Sequence, residues 1–230
     1  MRGVTGFAVL LLGWEGLRML RVLPPTAAPG VRDVVASADA GLVRAAGETL
    51  LAWALGLALA AVIGIGLGVL VGLSRWADDA TRPTTEFLRP IPVVALIPVA
   101  IVLIGIDTRM QAALVGLACL WPLMISTRFG VRDVDPLLIE SGRVLGASGL
   151  RLVTRVTWPA ALPAIRTGLR TAASLGIVVA IAVELVAGSP GLGHYIAQQQ
   201  AAGQIAASYA GVLVSGVLGW AISATFRTRS

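Results

Sequence analysis

The chain contains no lysine; all 18 of its basic residues are arginine. A phosphate-binding loop of the Gly-x-x-x-x-Gly-Lys-[Ser/Thr] type needs a lysine on the terminal phosphates, so this chain cannot build that nucleotide cradle. There is one cysteine, Cys119, and one histidine, His194. A single cysteine rules out a disulfide framework within the chain, and Cys119, set in an apolar run, reads as a small buried hydrophobe. Charge is scarce: charged residues are 13% of the chain, against about a quarter in a soluble domain. Aromatics are scarce as well, at 5%. They are not interleaved with basic clusters as single-stranded nucleic acid requires, so the net charge of +6 does not indicate a nucleic-acid partner. Arginines at cytoplasmic helix ends beside anionic lipid account for it instead.

What is present is apolar sequence: 57% hydrophobic residues and a mean hydropathy of +0.86. Uninterrupted apolar runs near twenty residues long indicate a chain that crosses a membrane several times. The runs are continuous rather than alternating, so the spans are helices and not barrel strands. The expected fold class is all-α: a polytopic membrane helix bundle, one transmembrane domain over residues 1–230, with about six spans. These fall at 3–20, 50–73, Pro90 to Ile106, 110–127, 168–188 and 205–226. The first has a basic start like a secretory signal peptide, but reads as a retained helix with Trp14 suited to an interface. Residues 30–48 read as an amphipathic connector outside the bundle.

Within the spans a few residues stand out. Gly64, Gly68 and Gly72 repeat every four residues, with Gly56 two turns earlier, a face on which another helix can approach closely. Pro90, Pro92 and Pro98 crowd the start of the third span. Prolines there free backbone carbonyls, which is tolerated where the helix faces protein or a watery cavity, so Pro92 and Pro98 are candidate pore residues. Glu184 is an ionisable group in a span, and such groups face the bundle interior or water. It is either a gate residue or a hydrogen-bonded structural carboxyl. Residues 188–204 read as a polar outer loop. A Ser189–His194 pair would suit an intramembrane hydrolase, but no third, orienting group accompanies it.

Orientation follows from arginine. Placing the polar 128–166 segment in the cytoplasm puts thirteen arginines on that side and five (Arg18, Arg21, Arg32, Arg44, Arg109) on the other. That bias sets both termini in the cytoplasm.

The segment with the most to say is Asp135–Pro163, the longest that could live in water. Glu140-Ser-Gly is followed by Gly146 six positions after the glutamate, Val156 ten positions later, and Trp158-Pro159. This spacing resembles the cytoplasmic loop signature of ABC importer permeases. The match is in register at Glu140, Gly146 and Pro159. It departs at Ser141 and Gly142, where that family has alanines, and conservatively at Val156 and Trp158. The Arg89-to-Pro98 run, Glu184-Leu with Gly-Ser-Pro-Gly-Leu-Gly193, and Leu162-to-Gly168 are similar to the branch that imports nitrate, sulfonates and taurine.

The resemblance implies a type I ABC importer permease fold, in which 135–163 is a coupling loop docked on a cytoplasmic ATPase. The loop would fold as two short helices, one of which, at about Gly142–Leu152, would enter the ATPase groove. Gly146, Ala147, Ser148 and Gly149 would allow close approach, with Leu145, Leu150 and Leu152 as apolar anchors. Glu140, Arg143 and Arg151 would lie at the polar rim. The resemblance further implies a homodimeric permease with two ATPase copies below and an extracytoplasmic substrate-binding protein above, in the bacterial cytoplasmic (inner) membrane. ATP and Mg would be bound by the partner ATPase. The chain would then be no enzyme and hold no cofactor. The rival reading is an ATPase-independent channel or secondary transporter, for which the loop would tolerate replacement by a flexible linker.

Overall fold

The computed structural model describes residues 29–225, together with Gly6, Gly13, Trp14 and Gly16. Apart from those four residues, the expected span at 3–20 lies outside the described residues, as do Arg227 and Arg229. Trp14 stacks edge-on against Tyr209 at 4.8 Å and its indole N–H donates to the Pro29 carbonyl.

The described chain is helical throughout, with elements α1 (Val31–Ala36), α2 (Ala40–Leu73), α3 (Arg75–Leu88), α4 (Ile97–Ile104), α5 (Thr108–Arg132), α6 (Pro136–Val144), α7 (Gly149–Leu152), α8 (Trp158–Ala187), α9 (Leu192–Ala201) and α10 (Ile205–Thr225). A 3-10 turn, Val93–Leu96, precedes α4, and a π-helical turn, Val153–Thr157, joins α7 to α8. Four stretches are long and apolar enough to cross a membrane: α2, α5, the continuous run Gly149–Ala187, and α10. A fifth passes only if α3 and Val93–Ile104, bent by 79°, are taken together. Five of the fourteen residues of α3 are charged, so the apolar arm of that pair is Val93–Ile104.

Several boundaries differ from expectation, each for a local reason. The Asp39 carboxylate caps α2 by accepting the Leu42 N–H at 2.7 Å, so the helix starts at Ala40, inside the expected connector. At 34 residues it is about 51 Å long, well beyond the ~30 Å hydrocarbon core. The polar 74–90 stretch folds as α3, opened by a Ser74 cap that accepts from Ala77 N. Pro90 and Pro92 do not kink one spanning helix; they separate α3 from the 3-10 turn, and Pro98 sits in the first turn of α4, where its missing N–H costs nothing. Pro159 and Pro163 lie in the first turns of α8 rather than before it. Proline at 159 cannot donate back to the preceding turn, and the wider π turn immediately upstream accommodates that loss. The 188–204 segment, expected to be a loop, holds α9.

The glycine stripe of α2 faces α5. A Cβ at Gly56 would sit 2.7 Å from the Ala112 carbonyl, at Gly64 3.0 Å from that of Leu120, at Gly68 2.7 Å from that of Met124, and at Gly72 3.1 Å from that of Arg128. The partner is always 56 positions on, so α2 and α5 run parallel in fixed register. The α3–α4 return makes that possible. Helix α8 packs antiparallel on α5: Gly130 meets Ala161 and Ala164, Gly168 meets Ser126, and Gly176 meets Cys119. The core lies where α2, α5, α8 and α10 meet, with Leu57, Val115, Cys119, Leu123, Ile177 and Ile222 buried together. Cys119 is fully buried, with its thiol on the Ala172 carbonyl.

At Gly68 a Cβ would also lie 2.6 Å from Thr127 Cβ, whereas at Gly66 it would meet nothing within 4 Å. Gly68→Leu is therefore expected to cost at least ~1–3 kcal/mol through overpacking. Gly66→Leu should stay within about 0.5 kcal/mol. Thermal melting of the two variants in detergent checks this, and equal melting would contradict the close α2–α5 contact.

Candidate functional site

The ends of α2 and α5 and the start of α8 share one end of the bundle, and the 135–157 segment hangs from it as a helical bracket. The Asp135 carboxylate caps α6 by accepting from Leu137 N at 2.8 Å, with Pro136 in the first turn. The segment does not hold one helix over Gly142–Leu152. Helix α6 stops at Val144, Leu145–Ser148 form a tight turn, and α7 starts at Gly149. Gly146 requires this, with φ +84° in the left-handed region that side chains disfavour. The turn is closed by Gly146 N donating to Arg143 O and Ala147 N to Gly142 O, both at 2.9 Å.

The turn throws its apolar residues outward. Val144 and Leu145 are each 87% exposed and Leu150 78%. Glu140, Arg143, Gly146, Ser148, Gly149 and Arg151 are exposed around them, and Ala147 is half-buried. The sequence reading missed Val144, whose outward direction depends on where α6 ends. It also gave Leu152 an outward role, but Leu152 folds back with Val156 over Gly142. A Cβ at Gly142 would sit 2.9 Å from Val156 Cγ2 and 3.0 Å from Leu152 Cδ1. Glycine where alanine is usual therefore lets α6 close on the chain leading into α8.

A second polar cluster lies at the other end of the bundle. Glu184, near the C-terminus of α8, is fully buried. Its Oε2 accepts from Thr49 Oγ1 of α2 and from Gly193 N, each at 2.9 Å, and Thr49 Oγ1 in turn accepts Leu192 N–H at 2.9 Å. Gln111 of α5 donates to the Pro190 carbonyl at 2.7 Å. Gly191, at φ +147°, passes so close that a Cβ there would fall on the Glu184 carboxyl. Tyr195 donates to Asp39 at 3.2 Å, joining α9 to the α2 cap. Burial, then that hydrogen bond, raises the Tyr195 phenol above its ordinary value, so it remains a donor. The result is a knot tying α2, α5, α8 and α9. The sequence showed Glu184 but not Thr49, its partner 135 positions away. Ser189 Oγ is buried with no hydrogen-bond partner among the described residues, His194 included, so the two form no dyad in this structure.

A third cluster lies beside the bracket. Asp78 of α3, 6% exposed, is paired with Arg128 and Arg132, which are one turn apart on α5. A cavity of about 640 Å³ opens next to it between α3 and the end of α5, lined by Thr81, Thr85, Arg89, Pro90, Met124 and Phe129 among others. Pro92 and Pro98 are exposed on the bend beyond. Among the described residues no cluster of histidine, cysteine or acidic side chains could hold a metal ion.

Residues 60–227 match the family described as binding-protein-dependent transport system inner membrane component. A putative aliphatic sulfonates transport permease of Bacillus subtilis is 31% identical over 229 residues, covering 95% of this chain and 81% of that protein. The taurine transport system permease of Escherichia coli is 30% identical over 233 residues, covering 96% and 84%. Among solved structures, a chain of the MetNI methionine ABC transporter, in inward facing conformations, superposes with a TM-score of 0.69 at 23% identity. The match covers 81% of this chain and 93% of that one.

The two roles open to Glu184 predict different variants. In Glu184→Ala the Gly193 N–H loses its acceptor, at about 1–3 kcal/mol for an orphaned buried donor. Glu184→Gln keeps an acceptor and should melt near the parent. A Glu184→Ala protein that melts normally but fails to transport would make the carboxyl a gate and not part of the knot.

Proposed function

The chain belongs to the family of binding-protein-dependent transport inner-membrane components, and we propose that the exposed turn from Val144 to Leu150 is where its ATPase docks. It is the permease subunit of an ABC importer, of the branch that includes sulfonate and taurine permeases. The observation that carries the docking assignment is the turn itself. Three bare aliphatic side chains stand at the tip of a water-facing bracket made rigid by two helices and a glycine turn. Exposed apolar groups with a polar rim mark interaction surfaces, and anchors of this kind dominate binding when they enter a pocket. Glu140, Arg143 and Arg151 form the rim, which sets orientation and partner choice more than affinity.

In this reading the bracket end faces the cytoplasm of a bacterial inner membrane, as the arginine bias requires, with both termini on that side. Two copies of the chain enclose the path. Two ATPase subunits, which bind the ATP and Mg, close beneath them, and an extracytoplasmic binding protein delivers solute at the Glu184 end. ATP-driven closure supplies the differential stabilisation that moves the permease between inward- and outward-facing states. The solute is a small sulfonate-like or taurine-like molecule, supported by the cargoes for which the relatives are named. Pro92 and Pro98 border the path at the bend, where interrupted helix is tolerated only against protein or a watery cavity.

Gly146→Trp, or the pair Leu145→Asp and Leu150→Asp, should leave the permease inserted but lower ATPase co-purification at least tenfold, about 1.4 kcal/mol. ATP-dependent uptake in proteoliposomes should fall with it. Undiminished co-purification and uptake would refute the docking site, and solute flux without ATP would favour a channel.

A further inference from the structure

Helix α3 is attached to the bundle in an unusual way. Of its fourteen residues only Ala77 and Asp78 are buried, both in the first turn and a half. Beyond them the helix stands off from α5 across the 640 Å³ cavity, and it ends at the Pro90–Pro92 break before the chain turns by 79° into Val93–Ile104. The arm thus leaves α2 through the extended residue Ser74, is broken at the prolines, and is held between them at Asp78. The group that holds it is the Asp78 carboxylate. Arg128 Nη2 donates to it at 2.7 Å and Arg132 binds the same carboxylate. The carboxylate is 8% exposed, and the arginines 24% and 35%.

The position of the arginines matters as much as the contact. Arg132 is the last residue of α5, and only Asp133, Val134 and Asp135 separate it from α6 of the bracket. A displacement of the bracket on its α6 side therefore passes through this three-residue link to Arg132 and, one turn further along α5, to Arg128. Across the cavity the arm has little apolar packing by which to follow. Two guanidinium groups holding one buried carboxylate give it a directional attachment instead, since charge-assisted hydrogen bonds fix geometry as well as distance. A partly buried ion pair is poor evidence of net stabilisation, so a structural benefit does not by itself account for this one.

We infer that Asp78 is a positioning residue for transport: its ion pairs with Arg128 and Arg132 make α3, and through the proline bend α4, follow the end of α5 when the bracket moves. The inference rests on the ATPase docking at the bracket. Asp78 itself needs no contact with solute.

The test uses the full complex with its ATPase in lipid, in a Cys119→Ala background, with spin labels placed singly at Val102 on α4 or at Arg155 beside the bracket. Distances between the two copies are measured by electron–electron double resonance, without nucleotide and after trapping with ATP and vanadate. In the parent complex both labels should shift on trapping. In Asp78→Asn the ATPase should still co-purify and the Arg155 shift persist, while the Val102 shift falls by at least half. The exchanged pair Asp78→Arg with Arg128→Asp should restore it. An unchanged Val102 shift in Asp78→Asn would overturn the inference. If Asp78→Asn fails to assemble, the exchanged pair decides: assembly with a restored Val102 shift supports the inference, and assembly without it overturns it. Loss of assembly in both variants also overturns it, because Asp78 would then serve the fold alone. Failure of the docking reading looks different, with neither label moving in the parent complex.

Discussion

The contact on which the structure depends is the approach of α2 to α5 along four glycines. In lipid there is little hydrophobic drive between helices, and association rests on close packing and polar contacts. Gly56, Gly64, Gly68 and Gly72 bring the α2 backbone against α5 over the length of the core, and α8 closes on α5 through Gly130, Gly168 and Gly176, where it also meets Trp53 of α2. The register so fixed determines where α5 ends and α8 begins. Those two ends carry the bracket, so the geometry of the 135–157 segment is set by packing inside the bundle.

Polar groups are concentrated at the two ends of this frame, and the two arrangements do different things. At one end Glu184 Oε2, the Thr49 hydroxyl, the Gln111 amide nitrogen and the backbone of residues 190–193 are hydrogen-bonded to one another and tie four helices. At the other end Asp78 and its arginines tie an otherwise loosely packed arm, and Leu145 and Leu150 stand exposed among the described residues. In the proposed reading the first end holds still while the second takes up the movement of a docked ATPase. That division suits the proposed reading, in which a separate ATPase supplies the energy.

Much of this was legible in sequence because it depends on local spacing. A four-residue glycine repeat identifies a packing face without reference to the partner helix. The spacing from Glu140 through Gly146 to Pro159 marks the loop, and the apolar runs mark the spans. The rest depends on contacts remote in sequence or on backbone geometry. Thr49 and Glu184 meet only after α2 and α8 have packed, and Asp78 finds Arg128 only because α2 and α5 run parallel. The single helix expected over 142–152 fails at Gly146, where a positive φ reverses the chain, and no periodicity forecasts that. The Pro90–Pro98 run showed that a helix is interrupted there, but not that the result is two arms bent by 79°.

The most direct test of the central claim is site-specific photocross-linking in native membranes, with a photoreactive amino acid at Leu145, at Leu150, or at Val35 on the far end of the bundle. The account predicts cross-links to the ATPase from Leu145 and Leu150 and none from Val35. Absence of an ATPase adduct at both leucines, in membranes where the complex transports, would contradict it.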